Sequence, residues 1–177
     1  MAKGVWTQLG KEKVASSGMT TKQADALGMY EVVSAVKLHK SFEALPALVI
    51  PYMGPDGKPF SSHPKWPSFY RIRYLKKGTS PKDLATEKSQ RYAQEPGTGS
   101  CAYFPNNRPW AKIIQDTTEQ IVFTEGELKA ASACQQGFNC IGLGGVWNFK
   151  AMRNGVLFLP ELESINWVRR KVYICYD

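Results

Sequence analysis

The 177-residue chain has little of what builds a metal ribbon or a membrane anchor. Its four cysteines, Cys101, Cys134, Cys140 and Cys175, form no C-x-x-C pair, and its two histidines, His39 and His63, stand alone. The spacing that marks a structural zinc site is therefore missing. Cys134 and Cys175 sit in apolar surroundings and read as small buried hydrophobes. No apolar run is long enough to cross a bilayer. The start, MAKGVWTQLGKEK, has no apolar stretch that would serve as a signal peptide, so the expectation is a cytoplasmic protein without a membrane partner. The sequence also lacks a P-loop Gly-Lys-Ser/Thr. Its GLGG at 142–145 fails as a dinucleotide fingerprint because Trp147 occupies the third glycine position; it reads as a tight turn.

Acidic residues are scarce in one place. Between Lys58 and Lys112 there are three acids, Asp83, Glu87 and Glu95, against eleven basic residues, which accounts for the whole net charge of +8. The rest of the chain, with twelve of each sign, is neutral. A positive field confined to one segment points to a polyanion, nucleic acid first, although an ordinary solvated surface has the same composition. Hydrophobic content of 43% with 21% charged residues is that of a globular protein with a real core.

Residues 1–18 are polar with little periodicity and read as an extended or loosely packed arm. Thr20 and Gln23 form the two halves of a capping box, with Met19 and Ala24 as its staple, so a short helix is expected up to Gly28. These elements make residues 1–46 an arm and a short helix. ALVIP at 47–51 reads as a buried strand that Pro51 places at an edge or a break, followed by a Pro-Asp-Gly turn. In SFYRIRYL at 68–75, Tyr70, Ile72 and Tyr74 share one face and Arg71 and Arg73 the other. Two residues along a strand span roughly 6.6 Å, close to the spacing of neighbouring phosphates on an extended strand; a half-exposed strand with a charged solvent face has the same pattern. Residues 76–98 read as a polar insertion with a short helix near 81–88, and GSCAYFP as one more strand. Together they make residues 47–112 a basic, β-rich lobe.

The pattern changes over 113–177. A strand IVFTEG, a helix from Glu127, a strand NCIGLGG, a helix around LPELESINWV and a strand KVYICYD alternate as a parallel sheet covered by helices does. Leu128, Ala131 and Cys134 recur on one helix face, which leaves Lys129 and Gln136 to solvent. Ligand chemistry in such sheets collects at the carboxyl ends of the strands. Glu125 ends the first strand of this unit and Asp177 ends the third. If those strands are neighbours, two carboxylates stand about 4.8 Å apart, and a pair that close calls for a cation; hard oxygen ligands suit Mg²⁺. Glu127 reads as a helix first-turn acid favoured by the helix dipole. Trp66, Trp110 and Trp147 read as packing residues, with Trp66 the candidate for stacking on a base because it lies in the basic segment.

VFTEGELKA, then GLGGVW, then KVYICYD resemble the Toprim domain, the catalytic module of bacterial and phage primases, topoisomerases and some nucleases. With ALVIPYMGPDGK, YRIRY and GSCAYFP ahead of them, residues 47–177 resemble an uncharacterised Toprim-like family found near the start of phage and plasmid primase-helicases. The resemblance implies an α/β fold with a parallel sheet and flanking helices, incomplete at its carboxyl end and preceded by the basic lobe. It implies Glu125 as catalytic acid or base and metal ligand, Asp177 as the first aspartate of Asp-x-Asp and a ligand, and Mg²⁺ or Mn²⁺ as cofactor. Lys129 stands where some relatives carry a further acid. Nucleotidyl transfer on a single-stranded DNA template is the implied activity, with Arg71, Arg73, Arg91 and Lys58 on the phosphates of DNA or RNA. A helicase or polymerase module, in the same chain or a neighbouring one, would be its partner. A non-catalytic binding domain and a Toprim nuclease are the alternatives. The expectation is a portion of a longer replication protein.

Overall fold

The structure, a computed structural model, describes residues 5–60, 68–76, 91–150 and 157–176. The chain folds as two compact units, one of Met1–Pro51 with Tyr70–Thr98, the other of Tyr52–Phe69 with Gly99–Asp177.

The first unit is built on an antiparallel sheet in the order β1-β2-β3-β4, from Tyr30–Val32, Ala47–Pro51, Tyr70–Tyr74 and Tyr92–Ala93. Alternation divides its residues between two faces. Val49, Ile72, Tyr74 and Ala93 pack with Ala35 and Phe42 as the core of one face. Glu31, Leu48, Arg73 and Tyr92 form a row across all four strands on the other. The expected strand 68–75 is therefore present as β3, but it is an interior strand of the sheet. Pro51 stands at the end of β2, where its missing N–H interrupts no ladder.

The expectation of an arm over 1–18 is corrected by a helix, α1, at Gln8–Ser16. Its sequence carries almost no apolar stripe, and Thr7 at its N-cap makes no side-chain cap of its own. The end is satisfied from a distance instead: the Thr7 backbone N–H and hydroxyl both donate to the Glu31 carboxylate, at 2.9 and 2.6 Å. Gly10 makes room for that carboxylate, which a Cβ at this position would strike. A tertiary cap of this kind leaves no local signal. The second helix, α2 at Thr21–Ala26, forms where its capping box requires: Thr20 accepts from the Gln23 N–H and Gln23 from the Thr20 N–H. Gly28, at φ +77°, turns the chain out of it.

The second unit holds a sheet in the order β5-β7-β6-β8, from Ala102–Tyr103, Cys140–Leu143, Ile121–Glu125 and Val172–Cys175. β7, β6 and β8 are parallel, and β5 runs antiparallel to β7. The strand in GSCAYFP thus belongs to this sheet and not to the basic lobe. Three α-helices accompany this sheet among the described residues: α3 at Trp110–Ile113, α4 at Glu127–Gln135 and α5 at Pro160–Glu163. The helix expected around LPELESINWV is only the four residues of α5, opened by Pro160 at its first turn. On α4, Leu128, Ala131 and Cys134 are buried and Lys129 is exposed, as the pattern requires. Gly142 lets α4 approach β7, since a Cβ there would meet the Gly126 carbonyl at 3.0 Å and the Ala130 Cβ at 3.1 Å.

Two buried polar groups pin the loops of this unit. Arg170 donates to three backbone carbonyls, Asn166, Glu119 and Ile114, at 2.7, 2.7 and 3.0 Å, which anchors the chain just before β8. Glu161 of α5 accepts from the Ala102 N–H of β5 at 2.6 Å. Burial pushes its carboxyl above the ordinary range, an effect its backbone hydrogen bonds partly oppose.

Candidate functional site

β6 and β8 lie side by side and parallel, with Thr124 opposite Cys175. The condition set by the sequence, that the first and third strands of this unit be neighbours, is met. Glu125, half-buried, ends β6 and is one step beyond that last pair. Tyr176 follows β8 on the other side, and its phenol is pushed up by burial first and by the Glu125 charge second. Gly126 has φ +96° and makes the abrupt turn from strand to helix that an L side chain would resist. Asp177, the other expected ligand, lies outside the described residues, as do His63 and Trp66 and the helix expected at 81–88.

Glu127 is the first-turn acid of α4 that its position suggests, and its side chain turns inward. It is fully buried, and the Tyr52 hydroxyl donates to its Oε1 at 2.6 Å. Tyr103 is beside them: its ring lies 5.1 Å from that of Tyr52, and burial followed by the Glu127 charge pushes its phenol up. The local sequence, an acid at a helix start, held no sign of this. The only hint was a tyrosine at the end of an apolar strand 75 residues away.

Magnesium asks for a few hard oxygen ligands. Glu125 supplies such a group at the rim of the parallel sheet, whereas Glu127 is engaged with Tyr52. Among the described residues no group of three His, Cys, Asp or Glu side chains is gathered to hold an ion. Two of the cysteines, Cys134 and Cys140, do not offer thiolates either. Burial pushes Cys134 up to about 11, and burial with the neighbouring Cys134 and Cys175 pushes Cys140 up to about 12. Cys175 itself is exposed, contrary to its apolar surroundings in sequence. The reason is that among the described residues β8 pairs with β6 alone and carries exposed residues on both faces.

On one of those faces an apolar cavity of about 830 Å³ opens, lined among others by Phe123, Trp147, Phe158, Trp167 and Ile174. Trp147, expected as a packing residue, is 71% exposed, with the Lys150 ammonium 5.0 Å from its ring. Trp110 is buried and donates to the Pro105 carbonyl, as a packing tryptophan does.

The first unit gathers the basic residues. Arg71 and Arg73 point to the same face of β3, and their guanidinium carbons lie 5.4 and 5.5 Å from the centre of the Tyr92 ring on β4. Arg73 and Tyr92 are direct cross-strand partners. Lys13, from α1, joins them. Its ammonium pKa is lowered by burial first, then by the charges of Arg73 and Arg91. Three of the expected phosphate-binding residues are thus brought together with a lysine that the charge count of 58–112 had left out. Lys58 is not with them, since it belongs to the second unit, where it follows the 54–57 turn and its N–H donates to Asp56.

Two unit charges roughly 6.6 Å apart, the i to i+2 spacing of a strand, repel by about 2.5 kcal/mol at an effective dielectric of about 20, and by less where water screens them. Each cation–π contact at a partly exposed position returns about 0.5–1 kcal/mol. Lys13 and Arg91 bring further positive charge to this unit.

Comparison with known structures bears on the whole arrangement. The chain superposes on the Aquifex aeolicus primase, in its zinc-binding and RNA polymerase domains, with a TM-score of 0.56 and 16% identity, covering 97% of this chain and 43% of the primase chain. The fold is primase-like. The chain spans less than half the length of that primase. Residues 109–177 match a family described as a domain of unknown function, DUF3854. No curated protein matches the sequence. Within the primase-like fold, the matched segment carries the β6–β8 rim with Glu125, and the basic cluster lies outside it.

Proposed function

We propose that the chain is a primase-type module of a replication protein, carrying out nucleotidyl transfer on a single-stranded nucleic acid template. The observation that carries this is the parallel pairing of β6 with β8, which sets Glu125 at the carboxyl rim of the sheet, one residue beyond the Thr124–Cys175 pair. In this reading Glu125 and Asp177 hold Mg²⁺ or Mn²⁺, as the Toprim resemblance implies. The metal, when bound, neutralises charge on the reacting phosphate. Glu125 orients the attacking hydroxyl or takes its proton, and Gly126 keeps side-chain bulk out of the way. The basic cluster of the first unit holds the phosphates of the template. A helicase or polymerase module, in the same chain or another, would extend the primer or supply the single strand, and a phage or plasmid setting follows the same resemblance.

The test is primer synthesis from ribonucleotides on a single-stranded DNA template, with and without Mg²⁺. The expected outcome is metal-dependent product that is lost in Glu125→Gln; equal synthesis by Glu125→Gln overturns the role given to Glu125. One observation favours a second reading, a non-catalytic binding domain: the second acid of the unit, Glu127, is engaged in the interior with Tyr52. That reading predicts salt-sensitive oligonucleotide binding that survives loss of Glu125 and drops when Arg71 and Arg73 become Ala.

A further inference from the structure

β8 stands at the edge of its sheet and is paired in parallel with β6, where the Ile121 N–H donates to the Lys171 carbonyl at 3.1 Å. Main-chain groups alternate along a strand, so those of Tyr173 and Cys175 also turn to β6, and those of Val172 and Ile174 turn to the open edge. Natural edges are commonly protected by a charge or a proline within the strand. Val172–Cys175 carries neither. Its side chains are nonetheless exposed, Ile174 by 67% and Val172 and Tyr173 by 40% each. A cavity opens on each face: Val172, Ile174 and Tyr176 line the one of about 830 Å³, and Tyr173 and Cys175 line another of about 750 Å³. A strand that is apolar on both faces and open along its edge calls for a further strand beside it.

Charge at the two ends of β8 says which strand fits. Arg169 and Lys171, both exposed, stand at its amino end. The Lys171 ammonium lies 5.3 Å from the Tyr173 ring, so its charge stays along the strand. Glu125 stands at the carboxyl end, one residue beyond the Thr124–Cys175 pair. A second β8 laid antiparallel sets each basic end against an acidic one, whereas a parallel copy would set like against like. The segment Gly99–Asp177 holds eight basic and seven acidic residues, so its overall charge does not oppose self-association. We propose that two copies of the chain pair through β8, antiparallel about a two-fold axis at Ile174, which joins the two four-stranded sheets into one. Ile174 then faces its own copy, Val172 faces Tyr176, and their outward N–H and C=O groups close on one another. Nothing in this pairing depends on catalysis by Glu125.

The experiment is sedimentation velocity of the 177-residue chain over a concentration series in reducing buffer. The expected mass at high concentration is that of two chains. Ile174→Lys sets two ammonium groups opposite one another across the axis, and Ile174→Pro removes the outward N–H without touching the bonds to β6. Both variants should sediment as single chains. Val33→Lys adds the same charge at an exposed position of the first unit and should stay dimeric. Register is read by crosslinking. In the antiparallel pair Tyr173 falls opposite Cys175 of the second copy, a non-hydrogen-bonded pair with about 4.5 Å between Cα atoms, which is within reach of a disulfide. Tyr173→Cys treated with copper phenanthroline as oxidant should therefore give a disulfide-linked dimer, and the wild type should not. That readout stands even if the position-174 variants fail to fold. A wild-type mass of one chain throughout overturns the proposal and leaves the edge to a strand of another polypeptide. A dimer that persists in both Ile174 variants, or one in which Tyr173→Cys does not crosslink, overturns the β8 pairing. Loss of the dimer in Val33→Lys as well would make the effect one of charge alone and overturns it too.

Discussion

Tyr52 and Glu127, 75 residues apart, meet in a 2.6 Å hydrogen bond inside the second unit, with both side chains buried. The bond ties the first residue after β2 to the first turn of α4, immediately behind the turn that carries Glu125. A carboxyl group that loses its donor in such a place keeps its desolvation cost without the compensating bond. Tyr52→Phe is therefore expected to lower stability by about 1.5–3 kcal/mol, measured by urea unfolding. Glu127→Gln retains an acceptor for Tyr52 and is expected to cost less. A Tyr52→Phe midpoint equal to that of the wild type would show that the bond adds nothing to the fold.

Lys13 should separate stability from binding. Burial and the charges of Arg73 and Arg91 lower its pKa, so the folded state disfavours the charged ammonium relative to the unfolded chain. That penalty is present at neutral pH and is relieved as pH rises through the lowered value. Lys13→Met removes it and preserves the aliphatic stem. The expected result is a raised melting temperature together with weaker oligonucleotide binding, whereas a residue of purely structural use would move both in one direction.

Glu161 predicts a pH dependence. Its carboxyl pKa is raised in the fold, chiefly by burial. Its contribution to stability is thus fully present below the unfolded value of about 4.3 and is lost as pH rises through the folded one. Glu161→Gln keeps an acceptor for the Ala102 N–H without the charge. Urea midpoints taken from about pH 4 upward should show the variant gaining on the wild type with rising pH, and a constant difference would contradict the assignment.

Arg170 anchors the entry to β8 through three carbonyls at once. Arg170→Ala leaves the buried Ile114 carbonyl and two part-buried ones without this donor and is expected to cost roughly 3 kcal/mol. Arg170→Lys recovers only part of the loss, because an ammonium on a flexible stem cannot reproduce the planar fork. Denaturant unfolding checks both variants.

Much of the second unit was legible because its signals are short-range. The apolar run of β6 ending in Glu-Gly and the periodic face of α4 each act within a few residues, and each formed as expected, whereas Gly142, read as part of a tight turn, lies inside β7 and serves the approach of α4. The capping box of Thr20 and Gln23 is of the same kind. The elements that escaped were those whose cause is distant. α1 has no apolar stripe and is held by Glu31, and the two residues of β5 could not announce which sheet they would join. Cys175 reads as buried from its neighbours in sequence, yet the open edge of β8 exposes it.

The candidate site divides along the same line. By itself the sequence determined which residues have the right chemistry: a carboxylate at a strand end, arginines alternating with aromatics, and a positive charge concentrated in one segment. Periodicity and composition are properties of neighbours, so they can be read directly. Which of those residues meet was decided only by the tertiary structure, because strand order and register join positions that the chain keeps far apart. That is why Lys13 came to the arginines while Lys58 went to another unit, and why Glu127 turned inward to Tyr52 when its neighbour Glu125 stayed at the rim.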